Sequence, residues 1–129
     1  MVTMRAGGGL GIGSDWRAAL TAALAGALAP LQGEPPDLLF LFASAAYERD
    51  YAELLQAAMQ VSQTTELAGC SASAVIGGTR ELETEPGVAA LALTLPRGAL
   101  LNVRYLASED VRSVGLAGIS SAECHGRII

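Results

Sequence analysis

Hydrophobic positions along this chain change period from segment to segment, and each change marks an element. Ala6 to Gly13 places glycines at alternating positions, the pattern of a first strand or approach loop that lets another backbone come close from above. Trp16, Leu20, Leu24, Leu28 and Leu31 then recur at helical spacing. Ser14 is the expected N-cap of that helix, Asp15 favours its positive end, and the helix should stop before Pro30 or soon after it. Leu38 to Ala43 is apolar at every position, as in a strand buried on both faces. A second helix from about Glu48 to Ser62 follows, with Tyr51, Leu54, Leu55, Ala58 and Met59 on its apolar stripe. Glu66 to Ser71 reads as a short strand entering a Gly69-Cys70-Ser71 turn.

Strand, helix and strand with such short links predict a right-handed parallel crossover. Beyond Gly77-Gly78 the period is two: Thr79 to Glu83, Gly87 to Leu95, and Leu100 to Leu106 after Pro96-Arg-Gly98. Strands joined by tight turns predict an antiparallel section. The class expected is therefore α/β, a mixed sheet with a βαβ crossover and an antiparallel section, with helices packed on it. From Ala107 the pattern fades, and 107–129 is expected to be a weakly ordered tail.

The first helix lacks a solvated side. Ala18, Ala19, Ala22, Ala25 and Gly26 stand opposite its apolar stripe with no charge after Arg17, which predicts cover on two sides. The run Ala18 to Leu31 also resembles a signal-peptide core, but Asp15, Arg17 and the glycines precede it, and it falls short of the ~20 residues of a bilayer span. A helix of the fold is the better reading.

At 129 residues the chain has room for one domain or part of one. Hydrophobic residues make up 51% and aromatics 5%, so the apolar content is mainly Ala, Leu and Val, which rules out a disordered composition. The net charge is −5, with no lysine and scattered arginines, and no basic stripe is present to neutralise phosphates. Nucleic-acid binding is disfavoured, as are P-loop and Schiff-base chemistry, both of which need lysine. Cys70 and Cys124 make no disulfide framework, and a reducing cytoplasm is expected.

Candidate chemistry gathers at the inferred strand ends. Small residues at Gly69, Cys70, Ser71 and Ser73 let a ligand approach the backbone where open α/β sheets bind ligands. The bland alternative is a tight turn packed under a helix. Ser44, Tyr47 and Arg80 are polar groups near strand ends able to orient a small polar ligand, or else surface and capping residues. Cys70 as a nucleophile would need a base, and the one histidine, His125, lies in the weak tail, so thiol catalysis is disfavoured. Cys124-His125 offers two ligands where structural zinc wants four, and Gly9-Leu-Gly11-Ile-Gly13 lacks the final glycine of a dinucleotide fingerprint. No metal or cofactor is expected.

The glycine-rich start into a Ser-led helix, Pro36-Asp-Leu-Leu-Phe-Leu-Phe-Ala-Ser44, Gly69-Cys-Ser-Ala-Ser-Ala-Val-Ile-Gly-Gly78, Arg80-Glu-Leu-Glu83 and the Gly87 to Leu95 strand together resemble the N-terminal region of the FIST domain family, over residues 7 to 106. The resemblance implies a non-catalytic intracellular sensory module that binds small ligands, amino acids among them. It also implies that the signal passes to a FIST C-terminal domain or a signalling partner protein. A full FIST N-terminal region is longer, so the chain is expected to be a fragment or truncated form, its uncharged helix face covered by the remainder or by a homo-oligomer. The alternative is an interaction or scaffold domain without ligand binding.

Overall fold

The computed structural model describes residues 4–64, 66–77, 79–101 and 127–128. The chain divides into two compact units, Met1–Leu95 and Pro96–Ile129. In the first, β1 (Arg5–Ile12), α1 (Trp16–Leu28), β2 (Leu38–Ser44), α2 (Tyr51–Ser62), β3 (Leu67–Ala72), β4 (Val75–Gly77), β5 (Arg80–Leu82) and β6 (Gly87–Thr94) follow in order. The main sheet has the strand order β1-β6-β2-β3. β6 runs antiparallel to both of its neighbours, while β2 and β3 are parallel, so the expected mixed sheet with its βαβ crossover is present. β4 and β5 form a separate antiparallel hairpin.

α1 is laid on β1 at unusually short range, and composition is the cause. Cβ atoms built on Gly7, Gly9 and Gly11 would stand 2.1, 1.9 and 1.7 Å from the carbonyl oxygens of Ala27, Ala23 and Ala19. Three glycines on one strand face thus meet three alanines at helical spacing, and backbone packs directly on backbone. Ala19, Ala23 and Ala27 are fully buried in this contact. Ala19, expected on the uncharged outer side, therefore belongs to the core, and only Ala18, Ala22, Ala25 and Gly26 of that set are exposed. Leu20 and Leu24 of α1, with Leu54 and Ala58 of α2, complete the layer over Leu39, Leu41, Val88, Ala90 and Ala92.

Three local expectations are revised, while the end of α1 before Pro30 is as expected. The N-cap of α1 is Asp15, whose carboxylate accepts the Arg17 N–H at 3.0 Å, and not Ser14. A 3-10 turn over Ala45–Asp50 delays α2 to Tyr51. Pro30 falls within a 3-10 turn, Ala29–Leu31, after α1 has ended at Leu28. Gly69-Cys70-Ser71 is no turn but the middle of β3, because its backbone continues the parallel ladder with Leu41, Phe42 and Ala43.

On the sheet face opposite the helices, the hairpin packs Val75 and Leu82 on Ala89, Leu10, Ile12 and Ala72. In the second unit, β7 (Leu100–Leu101) pairs in parallel with β8 (Arg127–Ile128). The rest of the strand expected over Leu100 to Leu106, and 107–126 of the expected tail, lie outside the described residues.

Candidate functional site

β2 and β3 are parallel, so their carboxyl ends lie side by side, Ser44 paired with Ala72. The chain leaving β2 turns at once through Ala45–Asp50 into α2, which brings Tyr47 and Tyr51 back to the same end of the sheet. Four sequence candidates, Ser44, Tyr47, Cys70 and Ser71, are therefore gathered there, with Ser73 just beyond β3.

Two of the four have their polar groups committed within the fold. Ser44 is buried, and its hydroxyl donates to the Gly87 carbonyl at 3.1 Å while accepting the Gly87 N–H at 2.8 Å. This reciprocal pair ties the end of β2 to the start of β6. Tyr47 is also buried, and its hydroxyl donates to the Gly13 carbonyl, tying the turn to the end of β1. Burial first, and then the Asp15 carboxylate, raise the Tyr47 phenol above its ordinary value.

Gly69, Cys70, Ser71 and Ser73 are exposed. Because strand side chains alternate, Gly69 and Ser71 face the helix side with Leu67, whereas Cys70 faces the opposite side beside its pairing partner Phe42. Cys70 is a free, exposed thiol. Gly69 is required by proximity: a Cβ there would lie 1.7 Å from the Leu41 carbonyl oxygen.

Tyr51 is the residue that sequence reasoning left on the apolar stripe of α2. Its hydroxyl donates to the Ser44 carbonyl at 2.9 Å and lies at 3.3 Å from that of Ala43. Burial raises its phenol, a side-chain hydrogen bond with Ser71 opposes that rise, and Glu48 and Cys70 add to it. Tyr51 thus reaches the strand ends at the carbonyls of Ala43 and Ser44, the ladder partners of Ser71 and Ala72, a placement that no local pattern announces. Arg80 is elsewhere: it is exposed at the turn end of the β4–β5 hairpin, opposite Gly77.

A recess of about 410 Å³ lies between the helices, lined by Trp16, Leu20, Leu24 and Leu28 of α1 and Ala57 and Val61 of α2. It contains none of the sequence candidates. Among the described residues no group of three His, Cys, Asp or Glu side chains is placed to hold a metal ion, and no helix is long and apolar enough to cross a membrane. Cys124 and His125 lie outside the described residues.

The fold and the strand-end cluster define a small α/β module with hydroxyls and small residues gathered at one end of its sheet. Residues 37–124, most of the chain, match the family model of the FIST N domain, and the chain belongs to the FIST family. It is similar to uncharacterised proteins of Mycobacterium bovis and Mycobacterium tuberculosis, each 38% identical over 85 residues, which cover 66% of this chain and 22% of the relative. Another Mycobacterium tuberculosis protein is 36% identical over 86 residues, 67% of this chain and 22% of its own length. The chain thus spans about a fifth of the length of these relatives. FIST domains are sensory modules of signal transduction and are not known as catalysts.

Proposed function

We propose that this chain acts as a non-catalytic sensory module of intracellular signalling that binds a small polar ligand, an amino acid or related carboxylate, at the carboxyl end of β3. The observation that carries the reading is the exposed Ser71 on the helix-side face of β3, paired with Ala43, whose carbonyl the Tyr51 hydroxyl approaches at 3.3 Å, with Ser73 just beyond the strand. Hydroxyls at this position orient a carboxylate or ammonium group by hydrogen bonding, and Gly69 lets β3 lie close against β2 beside them. Ser44 and Tyr47 serve as supports, since their own hydroxyls are bonded to Gly87 and Gly13. Cys70 lies on the opposite face of β3, and Arg80 stands apart at the turn end of the hairpin. Occupancy would favour one arrangement of the module against a FIST C-terminal domain or a partner protein that carries the signal onward.

The test is a thermal melt of the chain against the common amino acids and a set of short carboxylates. A ligand that binds the native state raises the melting temperature in a concentration-dependent way, by about 2.7 kcal/mol of stabilisation at one hundred times its dissociation constant. Ser71→Trp combined with Ser73→Trp should abolish that rise. If no compound shifts the melt, or if the double variant responds as the parent does, the reading is wrong.

A further inference from the structure

We infer that the outer edge of β3 pairs with the same edge of a second copy of this chain, antiparallel, about a two-fold axis through Gly69. Among the described residues β3 is the terminal strand of the sheet, and Gly69, Cys70 and Ser71 are exposed there. The Leu39 N–H donates to the Glu66 carbonyl at 3.0 Å, and the parallel register carries this alternation along the strand. Ala68, Cys70 and Ala72 therefore turn their backbone groups toward β2. Leu67, Gly69 and Ser71 turn theirs outward, where another strand can receive them.

Natural sheets usually blunt such an edge with lysine, proline, an inward charge or a bulge. The β3 sequence Leu-Ala-Gly-Cys-Ser-Ala has none of the charges and no proline, and its register with β2 is unbroken. The opposite edge differs, since β1 opens on Arg5, ion-paired with Glu34 at 3.4 Å.

Self-pairing suits this edge in particular. The outward residues are symmetric about Gly69, so an antiparallel copy sets Gly69 against its own mate and Leu67 against Ser71 of the second copy. Every outward donor and acceptor of the three residues is then used. No charged side chain of β3 meets its like across the axis, which matters for a chain of net charge −5. Apolar side chains bracket the edge on both faces. Leu55 and Met59, 39% and 38% exposed, lie on the flank of α2 turned away from Ala57 and Val61, which face α1. Phe42, 37% exposed, lies beside Cys70 on the other face. One short strand and these flanks fall below the ~800 Å² per partner of a standard interface, so the association is weak and reversible.

Sedimentation velocity of the ligand-free 129-residue chain, from about 1 to about 300 μM, reads the equilibrium in the range expected of a contact below standard size. The expected result is a concentration-dependent dimer. Ser71→Pro removes one outward N–H while leaving the ladder to β2 intact, and should hold the chain monomeric with an unchanged far-ultraviolet spectrum. In the proposed register the two Cys70 residues are diagonal neighbours about 7–8 Å apart. In a Cys124→Ser background a short bis-maleimide should therefore join them, and the Ser71→Pro change should abolish the product. A wild-type chain that stays monomeric throughout, or a dimer undiminished by Ser71→Pro, overturns the inference. Should Ser71→Pro fail to fold, Leu55→Lys with Met59→Lys decides: at least tenfold weaker association supports the pairing, and an unchanged dimer overturns it. No ligand enters these measurements, so their failure leaves the sensory reading untouched.

Discussion

Replacing Gly9 with alanine would set a Cβ 1.9 Å from the Ala23 carbonyl oxygen, 2.8 Å from its carbon and 2.9 Å from the Ala27 nitrogen. All three obstacles are helix backbone, which cannot rotate aside as a side chain can. To reach an ordinary contact of 3.4 Å, α1 would have to lift from β1 by about 1.5 Å, loosening Ala19, Ala23 and Ala27 together. Overpacking costs typically 1–3 kcal/mol, and a rigid obstacle puts this site at about 3 kcal/mol or above. A unit the size of Met1–Leu95 has a total stability on the order of 5–14 kcal/mol. At ~4–8 °C per kcal/mol, the melting temperature should fall by about 12–24 °C. Gly8, the adjacent residue, is the control. Its added Cβ would find nothing nearer than the Ala90 carbonyl oxygen at 3.9 Å, so Gly8→Ala should raise stability by about 0.4–1 kcal/mol by restricting the unfolded chain. Thermal melts followed by circular dichroism measure both. A Gly9→Ala loss under about 1 kcal/mol, or equal losses at the two positions, would refute the close approach of helix and strand.

Two further outcomes are expected. Ser44→Ala leaves the buried Gly87 N–H without its partner and should cost about 1–3 kcal/mol in urea unfolding; a loss within error would mean that the strand ends are not tied through this hydroxyl. For Tyr47 and Tyr51 the fold favours the neutral phenol, so their contribution to stability is complete below the ordinary value near 10 and is lost as pH rises through the raised folded values. Melting temperature against pH should fall above about pH 10 in step with phenolate absorbance. Tyr47→Phe should make that fall shallower, and an identical alkaline profile would count against its burial.

Much of this architecture was legible because local pattern and tertiary role agree. Leu38 to Ala43, expected to be buried on both faces, is an interior strand covered on its helix face but with Phe42 exposed on the other, and the alternating glycines before Gly13 do admit a backbone from above. The Trp16 to Leu28 stripe lies against the sheet as its spacing requires; of the α2 stripe Tyr51, Leu54 and Ala58 do so, whereas Leu55 and Met59 are exposed. The turn assigned to Gly69-Cys70-Ser71 failed because small residues signal both tight turns and edge strands, and only pairing with β2 separates the two. Ser14 and Asp15 are both good caps, and the choice between them depends on where the strand ahead lets the chain turn.

The convergence of four candidate residues at one sheet end was legible in the sequence, and the bonding of their polar groups was not. Ser44, Tyr47, Cys70 and Ser71 do converge at one sheet end, because parallel strands place their carboxyl ends together. Whether a hydroxyl there is free depends on partners far along the chain: Gly87 for Ser44 and Gly13 for Tyr47.

By itself the sequence determined the periods, and with them the helices, the strands, the α/β class and the direction of the β2–β3 crossover, since these follow from interactions within a few residues and from short links. Tertiary structure alone decided that β6 enters between β1 and β2, that the glycines of β1 mate with Ala19, Ala23 and Ala27, and which polar groups remain exposed. Each of those outcomes is a contact between segments distant in the chain, and its geometry is set when the layers close on one another rather than by any residue's own preference.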